Sequence, residues 1–531
     1  MKKKLGVLSA VVLSSAMILG ACKSEEASSN EKVEYNEEGL PIVEEKVSIE
    51  MVAPSAPLAP NYNEMTYFKR LEEETNVHID WNNIPGDGYQ EKKNLMLASD
   101  DLPDAFYGAG FSDHDLLTYG KSGAIIPLED LIKEHAPNLN KMLEERPEIK
   151  SVITAPDGHI YSLPVAAEMD IGATPFFTSI NTTWLEKLDL EMPTTLEEYH
   201  DVLVAFKEQD PNGNGKQDEI PLSFMHMFWT ADIADLIFGA FGMPDNLDHR
   251  TVRDGEVILT ASQPEYKEAI KYFHGWVEEG LVDKESFTQD ISQYLAKGKT
   301  EDVTLGSYVW WETEEVVGPD RADDYALMPP LEGPNGDKLV GRANGSQYSR
   351  GAFVITKENQ NPEVTMRWID QQYEPYMAAQ NFWGPIGEIY EKDEDGKLVN
   401  KEIPEGTTMG EYRQKVAPNQ IGIILREHFG TVVEMEPRAK QRLKDLKNIY
   451  MPHMAEEKYP KVSLTAEELD TVNRIEPELI DYIDKKRAQW LMNGGVEEEW
   501  DTYLEKLEQI GLNEMLEIYQ DGLERFKESQ K

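Results

Sequence analysis

The chain has 531 residues, with 52 Lys and Arg against 99 Asp and Glu, a formal net charge of −47. Such a surface repels nucleic acid, whose binding relies on basic side chains that neutralise phosphates. A single cysteine excludes an intramolecular disulfide and a thiolate metal cluster, and the length suits two lobes better than one core.

Lys2, Lys3 and Lys4 precede an apolar run over residues 5–20. That run is shorter than the roughly 20 residues that span a bilayer, so residues 1–21 read as a cleavable signal peptide. It ends in Leu19-Gly20-Ala21-Cys22, a small-residue pair before cysteine that resembles the lipobox of bacterial lipoproteins. The resemblance implies that Cys22 becomes the lipidated first residue, holding the protein on the membrane. Residues 22–45 are polar and acidic and are expected to form a flexible tether.

Strands and helices alternate beyond it. Strands are expected near 47–52, 77–84 and 102–106, with helices over 65–75 and 89–99 between them. This order predicts a parallel sheet covered on both faces, with ligand-binding loops such as 107–113 beyond the strand ends. A second block brings strands near 176–181, 304–311 and 341–356. Helices are expected over 194–209, opened by a Thr195–Glu198 capping box, then over 266–280 and 362–372. The carboxyl third is helical, with a second capping box at Thr465–Glu468. The expected architecture is α/β, two lobes enclosing a cleft: 46–170 with 330–395, and 171–329 with 396–531.

The sharpest internal motif is DPNGNGKQDEIP, residues 210–221. Asp210, Asn212, Asn214 and Asp218 stand at positions 1, 3, 5 and 9 of an EF-hand-like loop, and Lys216 at position 7 offers a backbone carbonyl. Calcium takes 6–8 oxygens, which this spacing supplies. The motif departs from an EF-hand at position 12, where Pro221 replaces the bidentate glutamate; Glu219 at position 10 is the substitute. With no open coordination position and no base nearby, the calcium is expected to be structural.

The stretches NTTWLEKLDL (181–190), PTTLEEY (193–199) and the 210–221 loop resemble family 1 extracellular solute-binding proteins, in the branch of LipO-type lipoproteins and alginate-oligosaccharide-binding proteins. GAFVIT (351–356), NPEVTMRW (361–368) and WDTYLEKLEQIGLNEMLEIYQ (500–520) agree with it. The resemblance implies a type II periplasmic-binding fold with two hinge crossovers. It further implies a carbohydrate ligand, delivery to the permease subunits of an ABC importer, and calcium held by Asp210, Asn212, Asn214, Lys216, Asp218 and Glu219. A monomer on the extracellular face of a Gram-positive membrane is expected.

Sugars are held by aromatic platforms and a few polar groups. The candidates are Trp310, Trp311, Trp383, Trp229 and Tyr161, with Arg342 and Arg350 able to grip a carboxylate or vicinal hydroxyls. Strand alternation expects only one of Trp310 and Trp311 to face the cleft. A peptide or other small-solute receptor and a surface-anchored glycoside-processing enzyme are the alternatives. No nucleophile elbow, HExxH motif or phosphate loop is present to favour catalysis.

Overall fold

The structure, a computed structural model, describes residues 33–169, 177–228, 231–341 and 348–529. Fourteen strands lie among them: β1 Val47–Ser55, β2 Val77–Pro85, β3 Ala105–Tyr107, β4 Leu163–Ala167, β5 Phe177–Asn181, β6 Ile220–Ser223, β7 Arg250–Arg253, β8 Glu256–Leu259, β9 Leu305–Trp310, β10 Tyr325–Leu327, β11 Tyr348–Ile355, β12 Tyr390–Lys392, β13 Leu398–Asn400 and β14 Gly422–Ile424. Six of them form one sheet in the order β14-β4-β11-β3-β1-β2, and four form a second in the order β10-β5-β9-β6.

In the first sheet β1 runs parallel to β2 and β3, as the alternation of strands and helices requires. β11 enters antiparallel to both β3 and β4, so the carboxyl ends of β3 and β4 and the start of β11 share one edge. The helix Thr66–Thr75 buries Tyr67, Phe68, Leu71 and Thr75, and Phe68, Trp81, Tyr107 and Trp368 form an aromatic cluster with centroids 4.7–6.3 Å apart. The second lobe has its own core, built around Trp184, Tyr199, Phe206 and Phe273 and closed by the carboxyl-terminal helices. Each lobe therefore buries apolar surface independently, which is what allows a cleft between them.

Both expected capping boxes form: Thr195 and Thr465 each accept from the backbone of the glutamate three residues on, which returns the bond. The helix Ala466–Asn493 packs on the helix Pro264–Glu278 of the second lobe.

Two expectations need correction. Residues 33–45 are not a flexible tether. Ile42 and Val43 are fully buried in the first core, the Ile42 amide donates to the Thr75 carbonyl at 2.9 Å, and Arg367 donates to the carbonyls of Glu37 and Gly39. Nor do residues 396–531 all belong to the second lobe, because β14 pairs parallel with β4 in the first sheet. The chain passes between the lobes after β4, after β10 and after β14, so the third passage lies beyond residue 424 and not at residue 395. No helix among the described residues is long and apolar enough to cross a membrane.

Candidate functional site

A cavity of about 550 Å³ opens between segments from both sheets. Ala56 and Met169 reach it from beyond the ends of β1 and β4, and Trp310 and Trp311 from the end of β9. Trp383, Phe382, Phe429 and Arg413 reach it from the segment that packs around β14. Rings from both lobes therefore face one space.

Trp310 and Trp311 both line the cavity, contrary to the expectation of one. The strand ends at Trp310, so alternation no longer governs the next residue. Trp310 is 6 % exposed; its Nε1 donates to Glu315 at 3.0 Å, and its ring lies parallel to Phe228 at 5.9 Å. Trp311 is more open and carries the Arg442 guanidinium 5.0 Å from its ring. Arg442 and Arg438 both reach the Glu312 carboxylate. Trp383 lies 5.6 Å from Phe429 and 5.7 Å from Phe382.

Two ionisable groups in the wall are shaped by burial. Burial raises the Glu315 carboxyl above its usual range against the opposing hydrogen bond from Trp310. Burial also lowers the Arg413 guanidinium, and its Nε has no hydrogen-bond partner among the described residues. The wall thus combines aromatic rings with a few polar side chains, Glu315, Arg413, Gln420 and Arg442 among them, the mixture that suits a polar ligand with apolar faces. Spacing gives no clue to Arg413, Arg442 or Phe429, because each arrives from an element distant in sequence from Trp310 and Trp311; Glu315 lies only five residues beyond Trp310.

Arg350 and Tyr161 do not join this cavity. The Arg350 guanidinium is held by Asp113 and by the Val152 carbonyl at 2.8 Å. It lines a second groove of about 670 Å³, in which Lys461 also approaches Asp113 at 3.6 Å. There Arg250 lies 3.5 Å from the Tyr519 ring and 4.9 Å from that of Tyr459. Tyr161 packs on the helix Asp113–Ser122, where a Cβ at Gly120 would come within 2.5 Å of its ring, and donates to Asp157 at 3.1 Å. Trp229, Arg342 and Cys22 lie outside the described residues.

The 210–221 loop joins the helix Leu196–Glu208 to β6. Asp210 accepts from the amides of Gly213, Asn214 and Gly215 at 3.0–3.1 Å. The side-chain amides of Asn212 and Asn214 both donate to Asp218 at 3.1 Å, so these three side chains converge. The Glu219 Oε1 is buried without a hydrogen-bond partner among the described residues, and burial raises its carboxyl. An orphaned carboxylate oxygen beside converging oxygen-bearing side chains fits a hard cation. No group of three or more His, Cys, Asp and Glu gathers for a metal among the described residues.

The family model for bacterial extracellular solute-binding proteins matches residues 56–375. The chain is 42 % identical over 543 residues to the fructooligosaccharide ABC transporter substrate-binding protein FusA of Streptococcus pneumoniae, covering 99 % of each. The structure of FusA in complex with kestose superposes with a TM-score of 0.86 over 91 % of this chain and all of that one. An EF-hand mutant of FusA in complex with fructo-nystose gives 0.87 with the same coverage. The lipoprotein LipO of Bacillus subtilis is 28 % identical over 338 residues, 61 % of this chain and 63 % of LipO. Alginate-binding protein AlgQ2 without calcium ion shares the fold, with a TM-score of 0.73 at 22 % identity over 92 % of this chain and all of AlgQ2.

Proposed function

Because the chain belongs to the bacterial extracellular solute-binding proteins, which are binding proteins and not enzymes, we propose that it captures an oligosaccharide between its lobes for an ABC importer. The observation that carries this reading is the cavity whose aromatic rings come from both lobes. Trp311 and Trp383 are the platforms for sugar faces, and Arg413 and Glu315 supply the polar contacts. Closure of the lobes brings the two sets of rings onto one ligand, a hinge motion that a chain crossing three times can support. The closed, loaded form is the one offered to the permease subunits.

The sugar class follows from the relative at 42 % identity, which is named for fructooligosaccharides. Short fructans such as kestose are the ligands to try first. In this reading the mature protein begins at Cys22, is lipid-anchored on the extracellular face of the membrane and acts as a monomer. The 210–221 loop holds a structural calcium through Asp210, Asn212, Asn214, Lys216, Asp218 and Glu219.

Calorimetry on the chain beginning after Cys22 tests the ligand, with kestose, nystose and a panel of neutral and uronic oligosaccharides. Saturable binding of a fructan supports the full reading, and binding of another sugar corrects its class. Binding of none, by a protein that melts cooperatively, overturns the oligosaccharide reading in favour of a peptide or other small-solute receptor.

A further inference from the structure

A fully buried ion pair lies directly behind the cavity wall. Asp232 is completely buried and Arg487 is 1 % exposed, and an Arg487 Nη donates to Asp232 Oδ1 at 2.5 Å. The two residues stand 255 apart in sequence, one on the segment after β6 and one near the end of the helix Ala466–Asn493.

Removing two charges from water costs several kcal/mol, and well-packed apolar residues often replace a buried pair at no loss of stability. The contribution of such a pair is therefore better sought in the geometry that it fixes. Here the geometry is specific. The other Asp232 oxygen accepts the Met227 amide, and the second Arg487 Nη lies 3.0 Å from the Met227 sulfur. Met227 has a φ of +56°, a left-handed conformation that an unbranched non-glycine residue adopts only when its surroundings impose it.

The consequence falls on the next residue. Phe228 follows this bend and lies parallel to Trp310 at the cavity wall, 3° from coplanar orientation. The turn is closed by the Phe228 amide on the Met225 carbonyl at 3.2 Å and the Met225 amide on the Ala231 carbonyl at 2.8 Å. Nothing else among the described hydrogen bonds grips the left-handed residue itself.

We infer that Asp232 and Arg487 are positioning residues of the ligand site, holding Met227 left-handed so that Phe228 backs Trp310 in the cavity. The inference rests on the oligosaccharide reading for its consequence but not for its geometry, and two measurements separate them.

The first measurement needs no ligand. With 4-fluorophenylalanine placed at position 228, the fluorine resonance is expected to be single and sharp in the parent. It should be split or broadened in Asp232→Asn and in Arg487→Lys, each checked to melt well above the assay temperature. An unchanged resonance in either folded variant overturns the inference. The second measurement is kestose affinity. Asp232→Asn is expected to weaken it about tenfold in the parent and to cause no further loss in a Phe228→Ala background. Unaltered affinity, or an equal loss in both backgrounds, also overturns the inference. A parent that fails to bind kestose counts against the proposed ligand alone, since the fluorine result still decides the role of the pair.

Discussion

The Tyr348 hydroxyl donates a hydrogen bond to the Glu168 carboxylate, joining the start of β11 to the end of β4 across 180 residues of sequence. The same carboxylate accepts from Arg146 at 2.6 Å and, through its other oxygen, from the Arg426 amide at 2.8 Å, just beyond β14. These strands stand at the first-lobe ends of the three passages between lobes. One side chain thus ties together the first-lobe ends of all three passages, where the proposed closure of the lobes would bend the chain. A hinge so tied can rotate without the crossover ends separating.

Glu168→Gln is expected to lower the melting temperature at pH 7, since hydrogen bonds to a charged group contribute about 1.5–3 kcal/mol each. Burial acts to raise this carboxyl, but the bonds from Arg146, Tyr348 and Arg426 outweigh it and bring the pKa down to about 2. A depressed pKa gives stability that is present above the unfolded value near 4.5 and is lost as pH falls toward 2. Melting curves from pH 7 to pH 3 should therefore show the gap between variant and parent narrowing below pH 4.5. A gap that is constant across this range would contradict the role of the charged carboxylate.

A second pH dependence has the opposite sign. His249 is fully buried, with Nδ1 2.9 Å from Asp245 and Nε2 3.3 Å from Asp484. Burial disfavours its charge, but the attraction and hydrogen bond of Asp245, with help from Asp484, raise its pKa to about 9. A raised pKa gives stability that is complete below the unfolded value near 6.5 and is lost as pH climbs through 9. The melting temperature should fall between pH 6.5 and 9.5, and the fall should be smaller in His249→Gln. Below pH 6.5 that variant should be less stable than the parent by about 3–5 kcal/mol, because it leaves the Asp245 charge buried without its partner.

Local signals in the sequence carried a long way, because the residues that decide them are neighbours. The capping boxes at Thr195 and Thr465 and the 210–221 loop each lie within a dozen residues of chain. The parts that misled depend on distant partners. The segment 33–45 has the composition of a tether, yet Arg367, some 330 residues away, takes up its carbonyls and the first core takes up Ile42 and Val43. β14 has three residues, too few for a periodic pattern, and without it the segment that brings Arg413 to the cavity is assigned to the other lobe. Arg350 illustrates the limit for single residues: its type suits a carboxylate ligand, but Asp113 already fills that role.

Binding should separate these two kinds of residue. Trp311→Ala removes an open platform and is expected to weaken kestose affinity at least tenfold, about 1.4 kcal/mol, with little change in melting temperature. Arg350→Ala leaves Asp113 half-paired with Lys461 and should lower the melting temperature while leaving affinity within about twofold. Calorimetry and thermal melts on both variants check the pair of outcomes, and the reverse pattern would move the ligand from the aromatic cavity to the second groove.

Calcium should act on stability and not on the shape of the ligand site. An ion at 100 times its dissociation constant that binds only the folded chain adds about 2.7 kcal/mol, so chelation should lower the melting temperature and added calcium restore it. Asp210→Ala should abolish the response, because Asp210 both offers oxygens and organises three backbone amides of the loop. Glu219→Gln is the sharper variant. Its Oε1 has no hydrogen-bond partner among the described residues, so if the glutamate does not meet an ion, neutralising it relieves a buried charge and raises the melting temperature with or without calcium. If it does meet the ion, the same change weakens the calcium response while stabilising the chelated protein. The sign of the Glu219→Gln shift in calcium relative to chelator therefore tests whether position 10 stands in for the glutamate that Pro221 displaces.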